Sequence, residues 1–111
     1  MENVEDGKLL RILIGEDDEF EGMPLYEAIV RLLRREGLAG ATVFRGIMGF
    51  GASSLIHSAR VLRLSEDLPI LIECVDRAGK IEGVLPKLDE MISEGLVTVE
   101  KAEIRLYRGR S

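Results

Sequence analysis

Residues 68–95, LPILIECVDRAGKIEGVLPKLDEMISEG, join a strand pattern directly to a helix pattern. The first part, Leu68–Val75, alternates apolar and other side chains and predicts a strand. Asp76 is suited to cap a following helix, and Gly95 is suited to end it. Between them, apolar side chains recur at helical spacing and form one stripe: Ile81, Val84, Leu85, Leu88, Met91 and Ile92. The stretch therefore predicts a strand followed at once by a helix that packs on its sheet.

Working outward, three further strands and one helix complete a recognisable order. Lys8–Ile14 alternates as a first strand, and an amphipathic helix begins at Pro24 and ends at Gly37. Ala41–Ile47 is the second strand, and Leu96–Leu106 follows the second helix as a fourth. The order βαββαβ predicts an α+β fold, a ferredoxin-like sandwich with a four-stranded antiparallel sheet and two helices on one face.

Length and composition fit one folded domain. The chain has 111 residues, 46% of them hydrophobic, and a net charge of −5. We expect a flexible tail over residues 1–7 and a single domain over 8–111, with a long connection at about 48–60. The single cysteine and single histidine exclude a structural zinc site, and no apolar run is long enough to insert into a membrane. The acidic balance argues against binding to nucleic acid, and the absence of a signal-peptide pattern favours the cytoplasm.

The long connection is the first candidate for function because it is rich in glycine. Gly46 and Gly51 have the spacing of a phosphate-binding P-loop, but Ala52 stands where that motif needs lysine, which excludes a P-loop NTPase. Gly49 and Gly51 still let a ligand come close to the backbone, because they carry no Cβ. Five arginines fall at or near the ends of the flanking strands and are suited to phosphate oxygens: Arg45, Arg60, Arg63, Arg105 and Arg108.

Several segments resemble the PII signalling proteins in the same order along the chain. They are Gly37–Val43, Gly49–Gly51, Leu68–Asp76 and Ile104–Gly109. Together with Leu10–Glu16 and Arg63–Pro69, they resemble most closely the PII-like family labelled a domain of unknown function. The resemblance extends from Lys8 over nearly the whole chain.

This resemblance implies a homotrimer with an adenine nucleotide bound in the clefts between subunits. Matched residue by residue, Gly40, Thr42, Gly49 and Gly51 take the places of small residues that contact the nucleotide. Arg105 and Arg108 fall where C-terminal arginines of the family reach phosphates, and Arg45 and Arg60 are secondary candidates. The segment from Thr42 to Gly49 is one residue longer than in PII proteins.

One departure from the PII pattern bears on which nucleotide is bound. PII proteins have a phosphate loop rich in glycine and lysine between the second helix and the fourth strand. Here Ser93–Gly95 is a short turn without lysine. We therefore expect AMP or ADP to be favoured over ATP.

The expected function is non-enzymatic signal transduction. Nucleotide binding would order the connection at 48–60, the counterpart of the PII T-loop, which then regulates a protein partner such as a membrane transporter or channel. We predict no metal and no catalytic residue.

Two alternatives remain open at this stage. One is a metal-responsive or structural trimer of the same fold without nucleotide, in which threefold symmetry would gather three copies of His57. The other is a small hydrolase that uses Asp17 or His57, although no residue spacing supports it.

Overall fold

A computed structural model describes residues 5–51 and 67–109 of the chain. In chain order, its elements are β1 (Glu5–Gly15), β2 (Glu19–Phe20), β3 (Met23–Pro24), α1 (Leu25–Arg35), β4 (Thr42–Arg45), β5 (Pro69–Arg77), α2 (Ala78–Met91) and β6 (Leu96–Ile104). Four of the strands form one antiparallel sheet in the order β4-β5-β1-β6, and β2 and β3 form a separate hairpin. This confirms the α+β, ferredoxin-like prediction.

The core lies between one face of the sheet and the two helices. Alternate residues of β1 and β5 are buried and face each other across the ladder, as in the pairs Ile12–Ile72 and Leu10–Cys74. The helices add their own buried residues to this cluster: Leu25, Ile29, Leu32 and Leu33 from α1, and Ile81, Val84 and Leu88 from α2. Burial of these side chains stabilises the fold by about 1.5–3 kcal/mol each.

Helix α1 ends as the sequence predicts, at a glycine. Gly37 has a φ of +82°, a conformation that costs glycine little. Its N–H donates to the carbonyl of Arg34, and the N–H of Leu38 donates to the carbonyl of Leu33. This paired arrangement is a Schellman motif, and it turns the chain from α1 towards β4.

The first strand begins earlier than the sequence suggests. We expected residues 1–7 to be a tail, but β1 begins at Glu5, and residues 1–4 lie outside the described part. Gly7 pairs with Arg77 on one side and Ala102 on the other. A Cβ at Gly7 would lie 2.6 Å from the Cδ1 atom of Ile104, so glycine here permits close packing rather than a loose chain.

Four other boundaries differ from the sequence prediction. The acidic loop before α1 contains a small hairpin, β2–β3, that turns at Glu21 and Gly22. The second long strand, β4, spans only Thr42–Arg45, and β6 ends at Ile104. Helix α2 ends at Met91 rather than at Gly95, because Ile92 is already extended.

Of the long connection that we expected at about 48–60, residues 48–51 are described, whereas 52–60 lie outside the described residues.

Within residues 5–51 and 67–109, no helix covers the second face of the sheet, and this face is partly apolar. Its apolar side chains come from all four strands: Leu9, Leu13, Phe44, Leu71, Val75 and Leu96. Among them, Arg11 donates from Nε to Glu73 at 2.9 Å and from Nη1 to Glu100 at 2.8 Å. The hydrogen bond to Glu73 is the main reason that the pKa of Arg11 is raised above its ordinary value. We call this surface the open face.

Candidate functional site

One end of the sheet forms a pocket of about 770 Å³. Here β1 begins, β5 and β6 end, α2 begins, and the connection from α1 to β4 passes by. Its lining comes from these five places and from the C-terminal segment: Glu5, Gly37, Ala39, Gly40, Val75, Asp76, Arg77, Lys80, Ile104, Arg105, Leu106, Tyr107 and Arg108. A pocket of this volume lies within the usual size range of small-molecule sites. We refer to it as the sheet-end pocket.

The sheet-end pocket is cationic although the chain is acidic. Four of its side chains are positively charged, namely Arg77, Lys80, Arg105 and Arg108, and two carry carboxylates, Glu5 and Asp76. The whole chain, by contrast, has a net charge of −5. A local excess of cations in an acidic protein favours a small anion over a polyanionic nucleic acid.

The Asp76 side chain holds one wall of the pocket in place and does not cap helix α2. We expected it to cap α2, but Arg77 occupies the cap position and no side chain caps the helix. The Asp76 carboxylate instead accepts hydrogen bonds from the N–H of Ala39 at 2.8 Å and from the N–H of Arg77 at 2.7 Å. The connection to β4 is thereby tied to the end of β5.

Two of the pocket arginines have carboxylate partners. Arg77 donates from Nε to Glu5 at 2.6 Å, and this hydrogen bond raises the pKa of Arg77 above its ordinary value. Arg105 donates from Nη1 to Glu103 at 2.7 Å. Both pairs are largely exposed, so a ligand can reach the guanidinium groups from solvent.

The other two pocket cations make fewer contacts. Lys80 donates from Nζ to the carbonyl of Gly37 at 3.4 Å, which places its ammonium beside the C-terminal end of α1. Within residues 5–51 and 67–109, neither Lys80 nor Arg108 has a carboxylate within 4.0 Å. Within these ranges, no salt bridge therefore competes with a ligand for either cation.

The remaining lining is apolar or aromatic. Val75 and Ile104 lie at the ends of β5 and β6, and Leu106 and Tyr107 follow β6. Leu106 and Tyr107 are 58% and 65% exposed, more than most large apolar side chains of this chain. The pocket thus combines cations with flat and aliphatic surface, a combination that suits a ligand with an aromatic base and a phosphate.

The structure brings together three of the eight residues that the sequence marks as nucleotide contacts. Gly40, Arg105 and Arg108 line the sheet-end pocket. Thr42 lies two residues after Gly40, on β4 opposite Glu73, and does not line it.

Three more of the predicted contacts lie at the far end of β4, and the last is not described. Arg45 pairs with Glu16 at 2.8 Å. Gly49 lies close to the ring of Pro69, and nothing lies within 4 Å of a Cβ placed on Gly51. Arg60 lies outside the described residues, as do Arg63 and His57.

The described residues bear only in part on the two alternatives, the metal-responsive or structural trimer and the small hydrolase. In the described ranges, no group of three or more His, Cys, Asp or Glu side chains is placed to hold a metal ion. The N–H of Asp17 donates to the carboxylate of Asp67 at 2.9 Å, and His57 lies outside the described residues. No helix in the described part of the chain is long and apolar enough to cross a membrane.

Sequence reasoning missed four of the side chains that line the pocket and could contact a ligand, namely Glu5, Arg77, Lys80 and Tyr107. Glu5 lies where alternation is lost, so its position on β1 has no local signal. Arg77, Lys80 and Tyr107 look like ordinary surface residues in the sequence. A basic residue in the first turn of a predicted helix, as at Lys80, is the one feature that signals an unusual helix start.

The fold of this chain is that of PII-like proteins. A structure described as that of a PII-like signaling protein from Thermus thermophilus matches with a TM-score of 0.64 and 19% identity, over 92% of each chain. CPII from Thiomonas intermedia K12, solved with ADP and bicarbonate, matches with a TM-score of 0.59 and 22% identity, over 92% of this chain and 91% of CPII. At these identities, the matches establish the fold.

The family follows from sequence. The model of the DUF190 family, described as an uncharacterized ACR, matches residues 7–104. A UPF0166 protein from Methanocaldococcus jannaschii is 42% identical over 105 residues, which cover 94% of each chain. The chain belongs to the DUF190 family, and the resemblance to PII-like proteins is confirmed.

Proposed function

We propose that this protein is a non-enzymatic PII-like regulator that binds an adenine nucleotide, with AMP or ADP favoured over ATP. The observation that carries the proposal is the sheet-end pocket, in which Gly40, Arg105 and Arg108 meet an excess of positive charge. CPII, which shares the fold, was solved with ADP and bicarbonate. We propose the cytoplasm as its location.

The chemistry of the lining supports a nucleotide rather than a simple anion. Arg105 and Arg108 present guanidinium groups, which bind phosphate oxygens through paired hydrogen bonds. Val75 and Tyr107 offer surface against which a base can pack. The turn at Ser93–Gly95 lies beside Leu13 and Ile14, at the opposite end of β1 from this pocket, and it has no lysine, so it offers no cation to a third phosphate that reaches it from a neighbouring subunit.

The remaining candidate contacts fit this proposal only in an assembly. Thr42, Gly49 and Gly51 lie on β4 or beyond its far end, and Arg45 is engaged by Glu16. We propose a homotrimer in which the open face is buried and clefts between subunits bring these residues, together with Arg60, towards a nucleotide. The apolar side chains of the open face support this assembly, because a sheet with an uncovered apolar face favours burial against another surface.

Regulation would pass through the connection at 48–60. Ile47, Met48 and Phe50 are 84%, 61% and 66% exposed at the start of this segment. Large apolar side chains at such exposure suit contact with a protein partner. We propose that nucleotide binding changes the population of segment conformations that this partner recognises, with a membrane transporter or channel as the example to test.

Binding is tested by thermal shift and calorimetry with AMP, ADP, ATP, cyclic AMP and GTP. A ligand that binds the native state raises the melting temperature by mass action. We expect AMP or ADP to give the largest shift. Arg108→Ala should weaken binding about tenfold or more, since a hydrogen bond between charged groups contributes roughly 1.5–3 kcal/mol.

A matched control separates a pocket contact from a general effect of charge. Arg31→Ala also removes one positive charge and one exposed arginine, but Arg31 pairs with Glu27 on α1, away from the pocket. Its nucleotide affinity should equal that of the wild type. Equal losses in Arg31→Ala and Arg108→Ala, or no shift with any nucleotide at millimolar concentration, would contradict the proposal.

The assembly is tested by light scattering after size-exclusion chromatography. A trimer of the 12.3 kDa chain has a mass of about 37 kDa. Leu13→Glu places a carboxylate among the apolar side chains of the open face, where Leu13 is 36% exposed, and should shift the mass towards that of a monomer. A monomeric wild-type protein would contradict the trimer.

A further inference from the structure

We propose that Glu5 is an internal competitor for the anionic ligand of the sheet-end pocket, and that it lowers nucleotide affinity by neutralising Arg77. This inference rests on the proposed function and concerns the regulation of the same site. Glu5 is a carboxylate in the lining of a cationic pocket, and it reaches Arg77 at 2.6 Å.

The fold places this carboxylate where a phosphate would bind. Glu5 is the first residue of β1 and pairs in register with Ile104, next to the arginines that follow β6. Gly7 pairs with Arg77, so Glu5 and Arg77 are diagonal neighbours across the ladder. The pairing of β1 with both β5 and β6 therefore holds the carboxylate inside the pocket.

The second carboxylate of the pocket cannot serve this purpose. Asp76 already accepts two backbone N–H groups, from Ala39 and Arg77, which fix its position in the wall. The pair of Glu5 with Arg77 is a contact between side chains, and these are 41% and 67% exposed in the single subunit, at the end of the open face where the proposed clefts would admit a ligand. An exposed pair is weak and exchanges readily, so an arriving anion can replace it.

A phosphate is a stronger partner for Arg77 than a carboxylate is. It carries a charge of about −1.5 to −2 at neutral pH and accepts paired hydrogen bonds from guanidinium. Removal of the Glu5 charge should therefore tighten binding by freeing Arg77, whereas loss of a positioning contact would weaken it.

The test is calorimetry with ADP on wild type, Glu5→Gln, Arg77→Ala and the double variant. Glutamine keeps the size of the side chain, and circular dichroism checks that β1 still folds. We expect Glu5→Gln to bind ADP about two to five times more tightly than wild type, the range that an exposed ion pair allows. In the Arg77→Ala background, Glu5→Gln should change ADP affinity little, because the guanidinium that Glu5 neutralises is absent.

Glu27→Gln is the control, since it also removes one negative charge and one arginine–glutamate pair. Glu27 pairs with Arg31 on α1 and does not line the pocket. Its ADP affinity should stay within a factor of roughly 1.5 of wild type, a bound set by screening of a distant exposed charge.

The outcomes separate this inference from the proposed function. If wild type binds ADP and Glu5→Gln binds equally or less tightly, the competitor role is refuted while nucleotide binding stands. The competitor role is also refuted if Glu27→Gln raises ADP affinity as much as Glu5→Gln does. The same holds if Glu5→Gln raises ADP affinity by its full factor in the Arg77→Ala background. If neither wild type nor Glu5→Gln binds AMP, ADP or ATP, both proposals fail.

Discussion

Removal of the Asp76 carboxylate should loosen one wall of the sheet-end pocket and destabilise the fold. Asp76 accepts the N–H of Ala39, 37 residues earlier in the chain, and the N–H of Arg77. Asp76→Ala therefore leaves two backbone donors without their partner and releases the connection between α1 and β4 from β5. We expect it to lower both the melting temperature and nucleotide affinity.

The size of the stability loss follows from the exposure of these bonds. Each is charge-assisted, but Ala39 is exposed and Asp76 is only partly buried, so water can replace the carboxylate. At about 0.5–1.5 kcal/mol for each bond, the two together contribute about 1–3 kcal/mol. For a domain of this length, about 4 °C per kcal/mol gives a fall of roughly 4–12 °C in the melting temperature.

The assay is thermal unfolding by circular dichroism at one protein concentration, with Asp76→Asn and Asp89→Ala beside Asp76→Ala. The side-chain amide in Asp76→Asn keeps one acceptor oxygen, so this variant should lose about half as much stability as Asp76→Ala. Asp89 is exposed on α2 and makes no hydrogen bond with other described residues, so its alanine variant should match or slightly exceed wild type. A melting temperature of Asp76→Ala within about 1 °C of wild type, on the same scale of degrees per kcal/mol, would refute the reasoning.

Three further predictions concern the rest of the fold. The hydrogen bond from Lys87 lowers the pKa of Glu36 below 4.5, so its stabilisation is present above that pH and lost as the pH falls through the lowered value. The melting temperature of Glu36→Gln should accordingly fall below wild type at about pH 7 and approach it as the pH falls below the lowered pKa of Glu36. Gly83→Ala should stabilise α2 by about 0.5–1 kcal/mol in urea unfolding, because a Cβ there meets open space; a destabilised variant would contradict this. Burial raises the pKa of Cys74 to about 11, so a thiol reagent at about pH 8 should react with it only after unfolding, and prompt reaction of the native protein would refute its burial.

The sequence predicts the fold well because the deciding signals are local and periodic. Ile12 and Ile72, opposite each other in the core, belong to strands whose alternation is visible in the sequence. Gly37 marks the end of α1 for a stereochemical reason that needs no tertiary context. The prediction is wrong where strand pairing decides the start of a strand. Glu5 belongs to β1 because β1 pairs with strands that lie about 70 and 100 residues further along the chain.

The candidate site is less predictable because it is assembled from sequence-distant pieces. Gly40 and Arg108 were marked by resemblance, and they do line one pocket. Arg77 carries no pattern of its own, and Lys80 is marked only by its place in the first turn of a predicted helix, where a positive charge is unfavourable. Only the antiparallel order of the strands shows that the start of β1, the end of β5 and the end of β6 meet.

The same topology gives a physical route between the pocket and the segment proposed to contact a partner. Strand β4 is four residues long, about 13 Å, and every one of its residues is exposed. Among the described strands it pairs with β5 alone, and it is held at one end by the bond from Ala39 to Asp76 and at the other by the bond from Gly46 to the carbonyl of Pro69. An edge strand with so little burial opens at lower free energy than the core strands do. A ligand that displaces Gly40 therefore has to move only this short strand to reach Met48 and the residues beyond it.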